Sequence, residues 1–93
     1  MTYKLEFHAL ALKEWKKLSP SIRDQLKKKL SERLENPCLP SARLSGSQNR
    51  YKIKLRSSGY RLVYAVDNDR IVVKVISVGK RERSEVYRKA DKR

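Results

Sequence analysis

The stretch YKIKLRSSGYRLVYAVDNDRIVVKVISV, residues 51–78, decides the fold. Tyr51, Ile53 and Leu55 alternate with Lys52, Lys54 and Arg56. That period of two makes a strand with one apolar and one basic side. Ser57-Ser58-Gly59 supplies a turn, YRLVYAV a further strand, and Asp67-Asn68-Asp69 a second turn. IVVKVISV is apolar on both faces, as a strand in the middle of a sheet must be. Tyr51, Tyr60 and Tyr64 fall on the apolar side and are expected in the core.

Upstream, Tyr3, Leu5 and Phe7 alternate with Lys4 and Glu6, which predicts another half-buried strand. From about Ala9 the period changes, and Ala11, Trp15 and Leu18, with Leu12 beside them, share one helical face. His8 stands at the junction, as a cap or surface residue. Ser19-Pro20 reads as an N-cap followed by proline at the first helical position. Ile22, Leu26, Leu30 and Leu34 then recur every four residues until Asn36-Pro37 stops the helix. Residues 37–50 read as a connection with a short turn or strand inside. Gly79 ends the last strand, and residues 80–93 have helical propensity, with Val86 and Ala90 as anchors. The order β-α-α-β-β-β-α predicts an α+β domain over residues 1–93, its helices packed on one face of a mostly antiparallel sheet.

The 93 residues carry 24 Lys and Arg against 10 Asp and Glu, a net charge of +14. Such a surface favours a polyanion or a strongly acidic protein. No run approaches the roughly 20 apolar residues of a membrane span, and the first residues lack the apolar segment of a signal peptide. A cytoplasmic protein without membrane attachment is expected. The lone Cys38 and lone His8 support neither an internal disulfide nor a Cys/His zinc site. With no glycine-rich phosphate loop and no paired-carboxylate site, neither metal nor cofactor is expected, and phosphate chemistry would run on cations.

Lys52, Lys54 and Arg56 stand in a row about 7 Å apart, close to the spacing of successive phosphates. Hairpin parity decides whether Arg61 joins them. Pairs summing to an odd number, such as Arg56 opposite Arg61 or Lys54 opposite Val63, put it on the basic face, whereas an even register buries it. Burying an unpaired guanidinium costs several kcal/mol, on the order of what one buried ion loses on leaving water, so the odd register is expected. Five cations and no acid lie within residues 50–61, more than a merely solvated sheet face calls for, since like charges on neighbouring strands repel. Beyond the last strand come Lys80, Arg81 and Arg83, then Tyr87. Arg81 in a first helical turn opposes the helix dipole, a placement against local preference.

ALKEWKKL, YKIKLRSSGYRLVY and VISVGKRERSEVY together resemble the RelE family of bacterial toxin mRNA interferases, in the same order over nearly the whole chain. The resemblance implies a small microbial-RNase-like fold and cleavage of messenger RNA in the ribosomal A site beside the small-subunit rRNA. It also implies neutralisation by an acidic RelB-type antitoxin, with operator DNA reached only through that antitoxin. Lys52, Lys54, Arg61, Arg81 and Tyr87 match the family's catalytic positions. The chemistry implied is attack of a ribose 2′-hydroxyl on the adjacent phosphate. Tyr87 is the candidate base, and Arg81, Lys54 or Lys52 the proton donor. Arg43, Arg50, Arg56, Lys80 and Arg83 are candidates for RNA binding. One departure is Ser45, where family members often carry a basic residue; Arg43 or Arg50 would substitute. Two other readings fit the charge: a non-catalytic RNA- or ribosome-binding module, and a gyrase-poisoning toxin of the same fold.

Overall fold

The computed structural model describes residues 2–44, 49–55 and 58–80. The predicted C-terminal helix, with Arg81, Arg83 and Tyr87, lies outside them, as do Ser45 and Arg56. The described elements are β1 (Lys4–Phe7), α1 (Ala9–Lys16), α2 (Pro20–Glu35), a single 3-10 turn (Pro40–Ala42), β2 (Arg50–Leu55), β3 (Tyr60–Asp67) and β4 (Val72–Lys80). The strands form one sheet in the order β1-β4-β3-β2, with β1 parallel to β4 and the other pairs antiparallel.

Local chemistry explains the boundaries. His8 caps α1, its Nδ1 accepting the N–H of Leu10 at 3.2 Å. The Ser19 hydroxyl accepts the N–H of Ile22, and Pro20 opens α2 where an N–H would go unused. The two helices cover one face of the sheet, α1 lying on β4 and α2 on β2. Leu26 and Leu30 of α2 are buried against Ile53, Leu62, Tyr64, Val73 and Val75. Each such side chain contributes roughly 1.5–3 kcal/mol by leaving water. Tyr51 and Tyr64 stack in this core with centroids 5.6 Å apart, and Tyr60 packs at its edge, as their alternation predicts.

Four details differ from the sequence reading. Gly79 does not end the last strand, because its backbone stays paired with Arg61 and the strand runs on to Lys80 opposite Tyr60. Leu5 is 39% exposed, although Tyr3 and Phe7 beside it reach the core, because β1 is an edge strand with a neighbour on one side only. Leu12 is 37% exposed, so the buried face of α1 is narrower than its apolar residues suggest. In β4, Val75 and Val78 both join the helix-side core although they are three residues apart. A bulge makes this possible: Tyr64 pairs with Val75 and Val63 with Ser77, leaving Ile76 as the extra residue. Ile76 then packs with Val63, Leu44 and Ala65 in a small second cluster. Among the described residues no helix is long and apolar enough to cross a membrane.

Candidate functional site

The register of the β2–β3 hairpin sets up the site. Lys52 pairs with Val63 and Lys54 with Arg61, so the pair sums are odd, as expected, though one pair removed from the example Lys54–Val63. Lys52, Lys54 and Arg61 therefore share the sheet face opposite the one carrying Tyr51, Ile53 and Leu55. Directly opposed residues of an antiparallel pair have Cβ atoms about 4.5–5.5 Å apart, which makes Lys54 and Arg61 immediate neighbours. On the far side of Arg61 the paired residue is Gly79, and a Cβ added there would meet nothing within 4 Å.

One expectation is corrected. The odd register was to keep Arg61 in solvent, yet Arg61 is only 8% exposed. Its Nη1 donates to the carbonyl of Tyr60 at 3.1 Å, while its Nε is buried without a hydrogen-bond partner among the described residues. Parity selects the face of the sheet but not the depth at which a side chain lies on it. A buried guanidinium with an unused donor is costly, and such groups mark places where a ligand supplies the missing acceptor. The requirement fits an anionic oxygen.

The remaining candidates are spread around this centre. Lys52 is half-buried and Lys54 exposed. Arg43 is exposed and forms an isolated bridge to Tyr51, which brings it beside the start of β2. Arg50 opens β2 opposite Ala65. Lys80 closes β4 opposite Tyr60, its Nζ 5.8 Å from that ring's centroid. Arg50, Lys52 and Lys54 follow one another along one face of β2, so the cations run as a stripe from Arg50 to the Lys54–Arg61 pair.

The sequence alone did not single out Arg33. From α2 its Nη1 donates to the Lys52 carbonyl at 3.3 Å and to the Tyr64 hydroxyl at 3.0 Å, and the Tyr64 hydroxyl donates onward to the Pro37 carbonyl at 2.8 Å. The guanidinium carbon also sits 6.0 Å from the Tyr64 ring centroid. This chain ties the backbone of Lys52 to the helix layer. Burial raises the Tyr64 pKa above its usual value, against the pull of Arg33, and burial with the neighbouring Cys38 thiol raises that of Tyr51. Both phenols are structural. The sequence signal was Arg33 standing immediately before Leu34 of the apolar stripe, a position at the border of the buried face.

Among the described residues no group of three or more His, Cys, Asp or Glu is placed to hold a metal ion.

Comparison with known proteins finds relatives over the whole chain. A family model described as ParE toxin of type II toxin-antitoxin system, parDE, matches residues 5–85. The mRNA interferase toxin RelE of Escherichia coli strain K12 is 61% identical over 93 residues, covering 100% of this chain and 98% of that protein. A double arginine-to-alanine variant of E. coli toxin RelE in the free state superposes with a TM-score of 0.92 at 59% identity, covering 99% of this chain and 97% of the other. The toxin of the intact E. coli RelBE toxin-antitoxin complex gives 0.83 at 59% identity, over 86% of this chain and 98% of that one. Matched over most of its length by a toxin family and over all of it by a curated toxin, the chain belongs to the RelE/ParE family of type II toxin–antitoxin toxins.

Proposed function

We propose that this protein is a ribosome-dependent mRNA interferase, a toxin that cuts messenger RNA in the ribosomal A site and so stops translation. The observation that carries the reading is the pairing of exposed Lys54 with buried Arg61, whose Nε has no partner, on a cationic sheet face. The 61% identity to a named mRNA interferase toxin supports it.

In this reaction the 2′-oxygen forms a bond to the adjacent phosphorus while the bond from phosphorus to the 5′-oxygen breaks, leaving a 2′,3′-cyclic phosphate and a 5′-hydroxyl. The 2′-hydroxyl proton passes to Tyr87. A proton reaches the 5′-oxygen from Arg81, Lys54 or Lys52. Lys52, Lys54 and Arg61 offset the charge that builds on the phosphorane, and fixed counter-charges of this kind usually give the largest single contribution to catalysis. An arginine, with a pKa above about 12, gives up its proton poorly, so Arg81 acts chiefly by hydrogen-bonding the leaving oxygen. Phenol, ammonium and guanidinium are weak acid–base groups at neutral pH, so the ribosome must position the message. Positioning supplies about 7–11 kcal/mol of barrier lowering, enough to make the toxin fast on the ribosome and inert on free RNA.

Arg43, Arg50, Arg56, Lys80 and Arg83 hold the RNA backbone and the small-subunit rRNA. The +14 charge suits an acidic RelB-type antitoxin as the neutralising partner, and the related toxin of the RelBE complex is held by one. Operator DNA is reached through that antitoxin, and the toxin acts in the cytoplasm.

End-group analysis of message cleaved on purified ribosomes tests the reading: cyclic-phosphate and 5′-hydroxyl ends are expected. Intact message together with inhibited gyrase supercoiling would instead identify a gyrase poison, a reading kept in view because the matching family model is that of a ParE toxin.

A further inference from the structure

Beside the cationic face, between α2 and the outer edge of β2, lies a depression of about 500 Å³ lined by Lys29, Arg33, Ser41, Ala42, Lys52 and Lys54. Four of these six residues are cations and none is an acid. We propose that this depression is a second phosphate subsite, which takes an RNA phosphodiester next to the one being cleaved and leads the RNA backbone off the sheet onto α2. The inference rests on the functional reading above and extends its RNA path to residues outside the catalytic group.

Three observations support it. First, Lys29 and Arg33 are four residues apart on α2, a spacing at which like charges face each other and destabilise a helix. Lys52 and Lys54 of β2 add two more positive charges to the same hollow. Four like charges lining one hollow, with no acid in its wall, repel one another and favour an anion between them.

Second, Arg33 is held in place. Its Nη1 is fixed by the Lys52 carbonyl and the Tyr64 hydroxyl, and that hydroxyl is itself anchored on Pro37. A guanidinium has five N–H donors in a fixed fork. With one arm fixed to β2, the group is already oriented, so less rotamer freedom is lost when a phosphate oxygen binds. Lys29 is an exposed point charge one turn earlier on the same helix.

Third, the two sites are continuous. Lys52 and Lys54 line the depression and also stand on the cationic face with Arg61. The hollow's volume falls within the roughly 300–1,000 Å³ of ordinary ligand sites, and the Ser41 hydroxyl offers a neutral donor beside the charges. A strand laid on the Lys54–Arg61 pair therefore meets the next cationic wall without leaving the protein.

The test is charge reversal at the wall that does no structural work. Lys29→Glu changes an exposed helical residue to one of similar helix propensity, so the fold is kept. Lys16→Glu on α1 is the control, with the same net charge and no part in the depression. Binding is measured for three probes: a free RNA oligonucleotide, vacant ribosomes, and ribosomes programmed with a message carrying a 2′-deoxy block at the cut position. Lys29→Glu should bind about tenfold more weakly than Lys16→Glu, with a salt dependence reduced by about one phosphate contact. Loss confined to programmed ribosomes or free RNA supports the subsite on the message; equal loss on vacant ribosomes would place the contact on rRNA and overturn it. If wild type binds and Lys29→Glu matches Lys16→Glu on all three probes, the subsite is overturned and the functional reading stands. If wild type binds none of them, the functional reading and the subsite fall together.

Discussion

Arg61 carries the tension between stability and chemistry in this molecule. It is 8% exposed, and its Nε is buried without a partner. Replacing a buried charge by an apolar side chain of similar size is often neutral or stabilising by about 1–4 kcal/mol. Arg61→Met should therefore melt at or above the wild-type temperature while losing about 10²–10³ in single-turnover cleavage, the usual effect of removing one fixed counter-charge. Thermal melts and ribosome-dependent cleavage read the two effects separately, and a variant that is both inactive and unfolded would refute this balance. Tyr64 is the converse case. Its hydroxyl donates to Pro37 and accepts from Arg33, so Tyr64→Phe leaves two buried groups short of a partner and should cost about 1–3 kcal/mol. Burial raises the Tyr64 and Tyr51 pKa values above 10 in the folded state. A raised folded pKa means the unfolded chain gives up its protons first, so the stability from these phenols is complete below about pH 10 and is lost as pH rises further. Unfolding free energy measured from pH 8 to 11 should be level and then fall, with a shallower fall in Tyr64→Phe. Alternation alone assigned both tyrosines to the core. The depth of Arg61 was not legible, because period two reports which face a residue takes and says nothing of what covers it.

At the scale of elements, the β2–β3 hairpin sets which cations meet. Its turn contains Gly59 at φ +74°, in the left-handed region that side chains with a Cβ avoid. Among the described residues an added Cβ meets no atom within 4 Å, so the expected cost of Gly59→Ala is that of backbone conformation, about 1–2 kcal/mol. Chemical denaturation should show a lower midpoint at unchanged m-value; a midpoint equal to wild type would mean the turn relaxes freely and does not fix the Lys54–Arg61 register. Helix starts at His8 and Ser19, the stop at Asn36-Pro37 and all four described strands were readable from periodicity and capping chemistry. The bulge at Ile76 was not, since a run apolar on both faces gives no signal when its alternation slips. Nor was Arg33, whose role depends on α2 lying over β2, a contact made across nineteen residues of chain.

For the whole molecule, charge dominates. With 24 cations against 10 acids, association with RNA should weaken steeply between about 50 and 200 mM salt, because each neutralised phosphate releases counterions. A flat dependence would contradict a cationic binding face. Composition announced a polyanionic or acidic partner, but the step from partner to reaction came from motifs spread along the chain, since Lys52, Lys54, Arg61, Arg81 and Tyr87 are each weak acid–base groups at neutral pH. The basic sheet face is the proposed cutting site of a ribosome-dependent interferase. Primer extension on a defined message, with and without ribosomes holding an empty A site, tests it most directly when wild type is compared with Lys52→Ala/Lys54→Ala. Wild type should give A-site cuts only when ribosomes are present, and a double variant that still folds should lose them. Undiminished cuts by that variant, or no cuts by folded wild type that binds ribosomes, would contradict it.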